Sequence, residues 1–106
     1  MSPVVVVATL SPKPGEEEAV KEAVLNAIPK VHAEKGCLKY ALHEATGDST
    51  DLVMIEKWES IDALATHGQA PALAELGQAI ANLLAAPLDV KTFTPIRAGE
   101  TDLGAI

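Results

Sequence analysis

Residues 36–67 decide the fold, and they read GCLKYALHEATGDSTDLVMIEKWESIDALATH. Two parts of this segment, residues 37–46 and 52–59, are rich in the apolar, β-branched and aromatic residues that favour strands. The polar residues 47–51 between them favour a turn, so the two parts predict a β-hairpin. Ser60 is a good N-cap residue and predicts that a short helix follows the hairpin.

The chain before this segment predicts one strand and one helix. Residues 4–10, VVVVATL, are short and β-branched and predict the first strand. The carboxylates of residues 16–18 favour the positive end of a helix, which an apolar stripe continues: Ala19, Val20, Ala23, Val24, Ala27, Ile28 and Val31. Pro29 lies inside this pattern and lacks a backbone donor, so we expect a kink or a break near residues 26–28. Gly36 predicts the stop.

The chain after this segment predicts a second long helix and a last strand. Gly68 is expected to end the short helix, and Pro71 is expected to begin the next one. The apolar face of that helix holds Leu73, Leu76, Ile80, Leu83 and Leu84. Pro87 closes it. Residues 88–96 predict the fourth strand, in which Pro95 indicates a sheet edge.

The order of the predicted elements is βαββαβ. This order predicts an α+β, ferredoxin-like fold, a four-stranded antiparallel sheet with its helices on one face. Residues 4–10 and 52–55 are apolar on both faces, whereas the helices cover only one. Since a bare apolar face of this size is rare on a monomer, we expect a homodimer in which the two sheets pack together.

The composition fits one small domain of 106 residues, which we place at residues 1–98, followed by a polar tail at residues 99–106. A net charge of −7, without a cluster of Lys or Arg, makes nucleic acid and anionic membranes poor partners. The longest apolar run, residues 4–8, is too short to span a bilayer. The single Cys37 excludes an internal disulfide. The first three residues lack the basic region of a signal peptide, so we expect a cytoplasmic protein.

Strand parity sorts the side chains of the hairpin into two faces. In its second strand, Met54, Glu56 and Trp58 share one face. In its first strand, one face holds Leu38, Tyr40, Leu42 and Glu44, and the other holds Cys37, Lys39, Ala41 and His43. Parity alone does not say which set faces the helices. Glu56 lies between apolar neighbours, so we expect it to pair with a cation, for which Lys39, Lys57 and Arg97 are the candidates.

The single Trp and a nearby His are the clearest candidates for a site. Trp58 ends an apolar strand, and His67 follows nine residues later. Together they would supply a flat apolar wall and a group that carries a proton near neutral pH. No two His or Cys residues have the helical spacing of a zinc site, and no glycine-rich phosphate loop is present, so we expect no bound metal.

Four short motifs, in this order and spacing, resemble the antibiotic biosynthesis monooxygenase family. They are Pro14-Gly15-Glu16, Gly36-Cys37-Leu38 with Tyr40, Glu56 and Trp58 with Ser60, and His67. The resemblance covers nearly the whole chain. It implies a dimeric α+β barrel. It also implies oxygenation without metal, flavin or any other cofactor, because the substrate itself supplies the electrons to O2.

The resemblance also implies which residues form the site. His67 would be the catalytic proton carrier and Trp58 would wall the substrate pocket. Tyr40 or His43 would orient the substrate. Each residue also has a purely structural interpretation. Trp58 and Tyr40 would pack in the core. His67 would complement a helix end, and His43 would point to solvent.

Two functions remain open at this point. The first is a cofactor-independent monooxygenase that oxidises a small quinol-like or anthrone-like aromatic substrate with O2. The second is a non-catalytic homodimeric module of the same fold that binds a small apolar ligand or acts in assembly.

Haem-degrading relatives of this fold use an Asn on a strand, whereas Asn26 and Asn82 both lie on predicted helices. Haem chemistry is therefore disfavoured.

Overall fold

The computed structural model describes residues 2–106 and contains one sheet. Its strands are β1 (Val4–Leu10), β2 (Cys37–Glu44), β3 (Leu52–Trp58) and β4 (Asp89–Phe93). They lie in the order β2-β3-β1-β4, and every neighbouring pair is antiparallel. This is the strand order of a ferredoxin-like fold, so the predicted α+β class is confirmed.

Three helices connect the strands: α1 (Glu17–His32), α2 (Ile61–Gly68) and α3 (Pro71–Ile80). The predicted N-cap of α2 is present, since Ser60 Oγ accepts a hydrogen bond from the backbone N–H of Ala63 at 3.1 Å. Pro71 begins α3 as predicted. None of the helices described for residues 2–106 is long and apolar enough to cross a membrane.

Helix α3 ends at Ile80, well before the end predicted at Pro87. Beyond α3, the backbone pairs with the loop that follows β1. Lys13 N–H donates to the carbonyl of Leu83 at 2.8 Å, and Ala85 N–H donates to the carbonyl of Ser11 at 2.7 Å. Residues 81–83 form a turn, closed by the bond from Leu83 N–H to the carbonyl of Ile80 at 2.9 Å, and the bonds to the loop hold the chain there instead of a continued helix.

Strands β1 and β3 bury one face against the helices. On each strand every second residue is buried, and the residues between are partly exposed. The buried set is Val4, Val6, Ala8 and Leu10 in β1 and Leu52, Met54, Glu56 and Trp58 in β3. Val20, Val24 and Val31 of α1 and Leu76 and Ile80 of α3 pack on this face. The face that carries Glu56 and Trp58 therefore looks toward the helices.

A β-bulge at the start of β2 changes the predicted parity. Cys37 pairs with Trp58, whereas Lys39 pairs with the adjacent Lys57, so Leu38 is the extra residue. Cys37 therefore lies on the helix-facing side with Trp58. The prediction that Cys37 shares a face with Lys39 is wrong. Beyond the bulge the predicted alternation holds.

Helix α1 runs through Pro29 to His32 without a break. The proline removes the hydrogen bond that the carbonyl of Leu25 would otherwise accept. Leu25 is 45% exposed, so this position lies on the solvent side of the helix. The helix therefore tolerates the proline, and the predicted break is absent.

The helices leave the second face of the sheet uncovered, and we call this the outer face. Its central residues, Val5, Val7, Val53 and Ile55, are partly exposed. Strand β4 lies at the sheet edge as Pro95 indicated, but it is shorter than the predicted residues 88–96 and is exposed throughout. The homodimer expected from this apolar face stays a prediction.

Candidate active site

A cavity of about 380 Å³ lies between the helix-facing side of the sheet and helices α2 and α3. Most of its wall is aliphatic, and includes Val6, Met54, Leu64, Leu76, Ile80 and Val90. Three of the lining residues have polar side chains, and we call them the polar wall: Tyr40, Glu56 and His67. The cavity therefore suits a mostly apolar ligand that carries polar groups in one region.

His67 reaches the cavity from the last turn of α2, and only 4% of its surface is exposed. Its Nδ1 lies 2.7 Å from Oε1 of Glu34, within hydrogen-bond distance. This contact fixes the ring orientation and favours the tautomer with the proton on Nδ1. Nε2 is then the ring nitrogen left to accept a proton from a ligand in the cavity.

Glu34 is part of the site and was not identified from the sequence. It lies two residues beyond the end of α1 and reaches α2 because the loop passes very close to that helix. Gly36 has a φ of +86°, and a Cβ there would lie 2.6 Å from Cβ of Ala63, so only glycine fits. No periodicity marks Glu34. A buried histidine needs a partner, but that rule does not say which of the carboxylates supplies it.

Trp58 lies behind His67 and does not line the cavity. Its side chain is fully buried, and its ring stacks on the His67 ring with centroids 4.4 Å apart and planes at 28°. Its Nε1–H donates a hydrogen bond to Oε1 of Glu56 at 2.9 Å. The prediction that Trp58 walls the pocket is therefore wrong in its geometry. The indole instead supports two members of the polar wall from the core side.

Glu56 is a buried carboxyl group, with 5% of its surface exposed. Burial raises the pKa of this carboxyl above its usual value, and nearby Glu34 raises it further. The Trp58 hydrogen bond and His67 act in the opposite direction. Its partner is the indole N–H and not the expected Lys39, Lys57 or Arg97, because strand parity turns Lys57 to the outer face.

Tyr40 stands opposite Glu56 on the neighbouring strand, on the same helix-facing side. Its ring meets the His67 ring edge-on, with centroids 5.7 Å apart and planes at 68°. Burial raises the pKa of the phenol well above its usual range, and the carboxylates of Glu56 and Glu34 add to the shift. The hydroxyl therefore stays protonated at neutral pH and is available as a hydrogen-bond donor. Tyr40 lies in the cavity wall, and its contact with a substrate stays a prediction.

His43 lies apart from the other candidates. It pairs with Val53, whose side chain belongs to the outer face, and it is exposed. Its Nδ1 lies 3.0 Å from the backbone carbonyl of Ala41. His43 is absent from the cavity wall, so the structure does not bring it together with His67.

The charges around the cavity are unusual for a site that would hold an anion. No Lys or Arg is among the residues that line it. Two carboxyl groups, Glu34 and Glu56, flank His67. Cys37 is near both, and burial, followed by Glu34 and Glu56, raises the pKa of its thiol. Within residues 2–106, no group of three His, Cys, Asp or Glu side chains is placed to hold a metal ion.

The sequence matches a known family and several named relatives. A family model described as antibiotic biosynthesis monooxygenase matches residues 3–79. "Putative monooxygenase Rv0793" from Mycobacterium tuberculosis is 32% identical over 95 residues, which cover 90% of this chain and 93% of the relative. "Probable quinol monooxygenase YgiN" from Escherichia coli K12 is 34% identical over 85 residues, which cover 71% of this chain and 82% of the relative.

Solved structures show the same fold. The structure of Rv0793 from Mycobacterium tuberculosis matches with a TM-score of 0.86 at 30% identity, covering 93% of this chain and 100% of that one. A structure from Caulobacter crescentus, described as a putative antibiotic biosynthesis monooxygenase, matches with a TM-score of 0.84 at 26% identity, covering 91% and 92%. Sequence and fold thus agree over most of the chain.

Proposed function

The chain belongs to the antibiotic biosynthesis monooxygenase family, and from this premise we propose that it oxidises a small quinol-like or anthrone-like aromatic compound with O2, without a metal or organic cofactor. The observation that carries the proposal is the polar wall of an otherwise apolar cavity, where a buried histidine is held by a carboxylate. The relative named as a quinol monooxygenase supports the same substrate class.

The size and lining of the cavity suit such a substrate. Its volume of about 380 Å³ falls in the range of about 300–1,000 Å³ that small-molecule pockets occupy. Aliphatic side chains on both sides favour a flat, uncharged ring system. The absence of Lys and Arg from the wall disfavours substrates that arrive as anions.

His67 has the geometry of a general base. Its Nε2 would take the proton of a substrate hydroxyl, or of the acidic carbon of an anthrone, while Glu34 stabilises the imidazolium that forms. The Tyr40 hydroxyl is a donor for the negative charge that develops on the substrate oxygen. Glu56 lies beside these groups in the polar wall, and burial raises the pKa of its carboxyl above its usual value.

The resulting carbanion or phenolate supplies the electrons. It passes one electron to O2, and the radical pair combines to a peroxide through a new carbon–oxygen bond. Cleavage of the O–O bond leaves one oxygen atom on carbon as a carbonyl and releases the other as water. For an anthrone the sum is C14H10O + O2 → C14H8O2 + H2O, in which the carbon is oxidised and O2 is reduced. The chain's part is to remove the proton, exclude water and hold the charge.

Oxygen uptake by chelator-treated protein tests this proposal. We expect uptake above the spontaneous rate with anthrones or hydroquinones, one O2 consumed per quinone formed. His67→Ala is expected to lose at least about 100-fold in rate, the size of a general-base contribution. His43→Ala is the matched control and is expected to keep the wild-type rate, because its ring lies on the outer face. Uptake that His67→Ala leaves unchanged would contradict the proposal.

A homodimer is part of the same proposal. The outer face presents Val5, Val7, Val53 and Ile55, partly exposed, in the middle of the sheet. Burying these side chains against a second copy removes apolar surface from water without involving the cavity, which lies on the opposite side of the sheet. Each protomer would then keep its own polar wall.

A further inference from the structure

Helix α3 presents a stripe to the cavity in which one apolar side chain is missing. Leu73, Leu76, Gly77 and Ile80 all line the cavity, at the spacing i, i+3, i+4 and i+7 that defines one face of a helix. Three of these positions hold large aliphatic residues, and the fourth holds glycine. Glycine in the interior of a helix is the least favourable residue apart from proline.

Neither backbone conformation nor close packing requires glycine at position 77. Its φ is not in the left-handed region, which in this chain is used by Gly15, Gly36, Gly47 and Gly99. A Cβ at position 77 would meet no atom within 4 Å. A side chain at position 77 would therefore extend into open space at the wall of the cavity.

The neighbouring helix repeats this arrangement. Leu64, His67 and Gly68 of α2 also line the cavity, at i, i+3 and i+4. Gly68 ends α2, but it does not adopt the left-handed conformation that makes glycine useful at helix ends. A Cβ there would also meet no atom within 4 Å. Both glycines line the cavity and are exposed, so they lie where the cavity opens to solvent.

We propose that Gly77, together with Gly68, determines the size of ligand that the cavity admits. The two helices present bare backbone at the opening, and this widens the cavity for a flat ligand of several fused rings. A single-ring ligand fits without this extra width. The inference rests on the proposed function only in taking the cavity as the ligand site, and it does not depend on the oxygenation chemistry.

Calorimetric titration under nitrogen tests this inference with phenol, 1-naphthol and 9-phenanthrol, which carry one hydroxyl on one, two and three rings. Wild-type protein is expected to bind the three-ring ligand most tightly. Gly77→Leu is expected to weaken binding of 9-phenanthrol at least tenfold and to change phenol binding less than threefold. Ala74→Leu, an exposed position on α3 outside the cavity wall, is the matched control and is expected to change neither.

Thermal unfolding supplies a second readout. Gly77→Ala is expected to raise Tm by about 4 °C or more, because alanine is the better helix former and nothing obstructs its Cβ. Folded Gly77→Leu that binds 9-phenanthrol as tightly as wild type would overturn the inference, and so would a wild-type protein that binds none of the three ligands. Size-dependent binding without oxygen uptake would support the inference while contradicting the proposed oxygenase activity.

Discussion

Glu34→Gln is expected to slow turnover about tenfold and leave the fold intact. Glutamine keeps the size of the side chain, and its amide oxygen still accepts the Nδ1–H bond of His67. It lacks the charge that stabilises the imidazolium formed when Nε2 takes a proton. A hydrogen bond contributes about 1.5–3 kcal/mol with a charged partner and about 0.5–1.5 kcal/mol without one. The midpoints of these ranges differ by about 1.25 kcal/mol, which corresponds to a factor of just under about ten in rate.

The structure supplies a matched control for this substitution. Lys30 Nζ and Glu75 Oε2 are also 2.7 Å apart, but their side chains are 60% and 62% exposed, compared with 5% for His67 and 18% for Glu34. An exposed pair contributes only about 0–1 kcal/mol, since water and salt screen it. Glu75→Gln is therefore expected to leave both turnover and stability nearly unchanged.

Steady-state oxygen uptake separates the possible outcomes for Glu34. We expect a lower kcat with KM within about threefold of wild type, because the carboxylate acts when charge develops and not when the substrate binds. A wild-type kcat in folded Glu34→Gln would refute the view that Glu34 supports the base. Equal losses in Glu34→Gln and Glu75→Gln would indicate a general effect of removing acidic charge.

Three further predictions concern the carboxyl group, the indole and the outer face. Because burial raises the pKa of Glu56 in the folded state, its contribution to stability is present below about pH 4.5 and falls as the pH rises above that value. The free energy of unfolding of Glu56→Gln, measured in urea, should therefore increase relative to that of wild type as the pH rises from 4.5 toward 7. Stability profiles of the two proteins that run parallel over this range would contradict this. Trp58→Phe keeps an aromatic ring against His67 but removes the hydrogen-bond donor to Glu56, so urea unfolding should show a free energy of unfolding lower by about 1–3 kcal/mol. An unchanged midpoint would show that the indole N–H bond does not contribute to stability. Ile55→Lys places a charge at the centre of the outer face and should convert a wild-type dimer to monomer in sedimentation equilibrium, whereas a wild type that is monomeric at micromolar concentration would refute the dimer.

The elements of the fold follow from local signals in the sequence. Ser60 and Pro71 mark the starts of α2 and α3, and both act there as their chemistry requires. Helix α1 shows that a proline does not always break a helix. Pro29 does remove a hydrogen bond, but the affected carbonyl belongs to the exposed Leu25, so the helix continues. The β-bulge at Leu38 has no signal in the hydrophobic pattern, and it alone moves Cys37 to the other face.

The site was only partly predictable, because strand parity sorts the side chains into two faces but does not say which face packs against the helices. His67 and Tyr40 both line the cavity, while their roles stay predictions. A flat ring suits a flat substrate and so favours Trp58 for the wall, yet packing puts the indole one layer deeper, against His67. His43 shared the residue type of His67 but lies on the outer face. The sequence does not indicate Glu34, because its contact with His67 depends on how closely the loop passes helix α2. A single glycine, Gly36, makes that close passage possible.

A crystal structure with 1-naphthol bound under nitrogen tests the central claim most directly. We expect the rings to lie in the cavity between the sheet and helices α2 and α3. We also expect the hydroxyl oxygen to lie about 2.6–3.2 Å from Nε2 of His67, within reach for proton transfer. A ligand bound on the outer face near His43, or one in the cavity whose hydroxyl points away from the polar wall, would contradict the account.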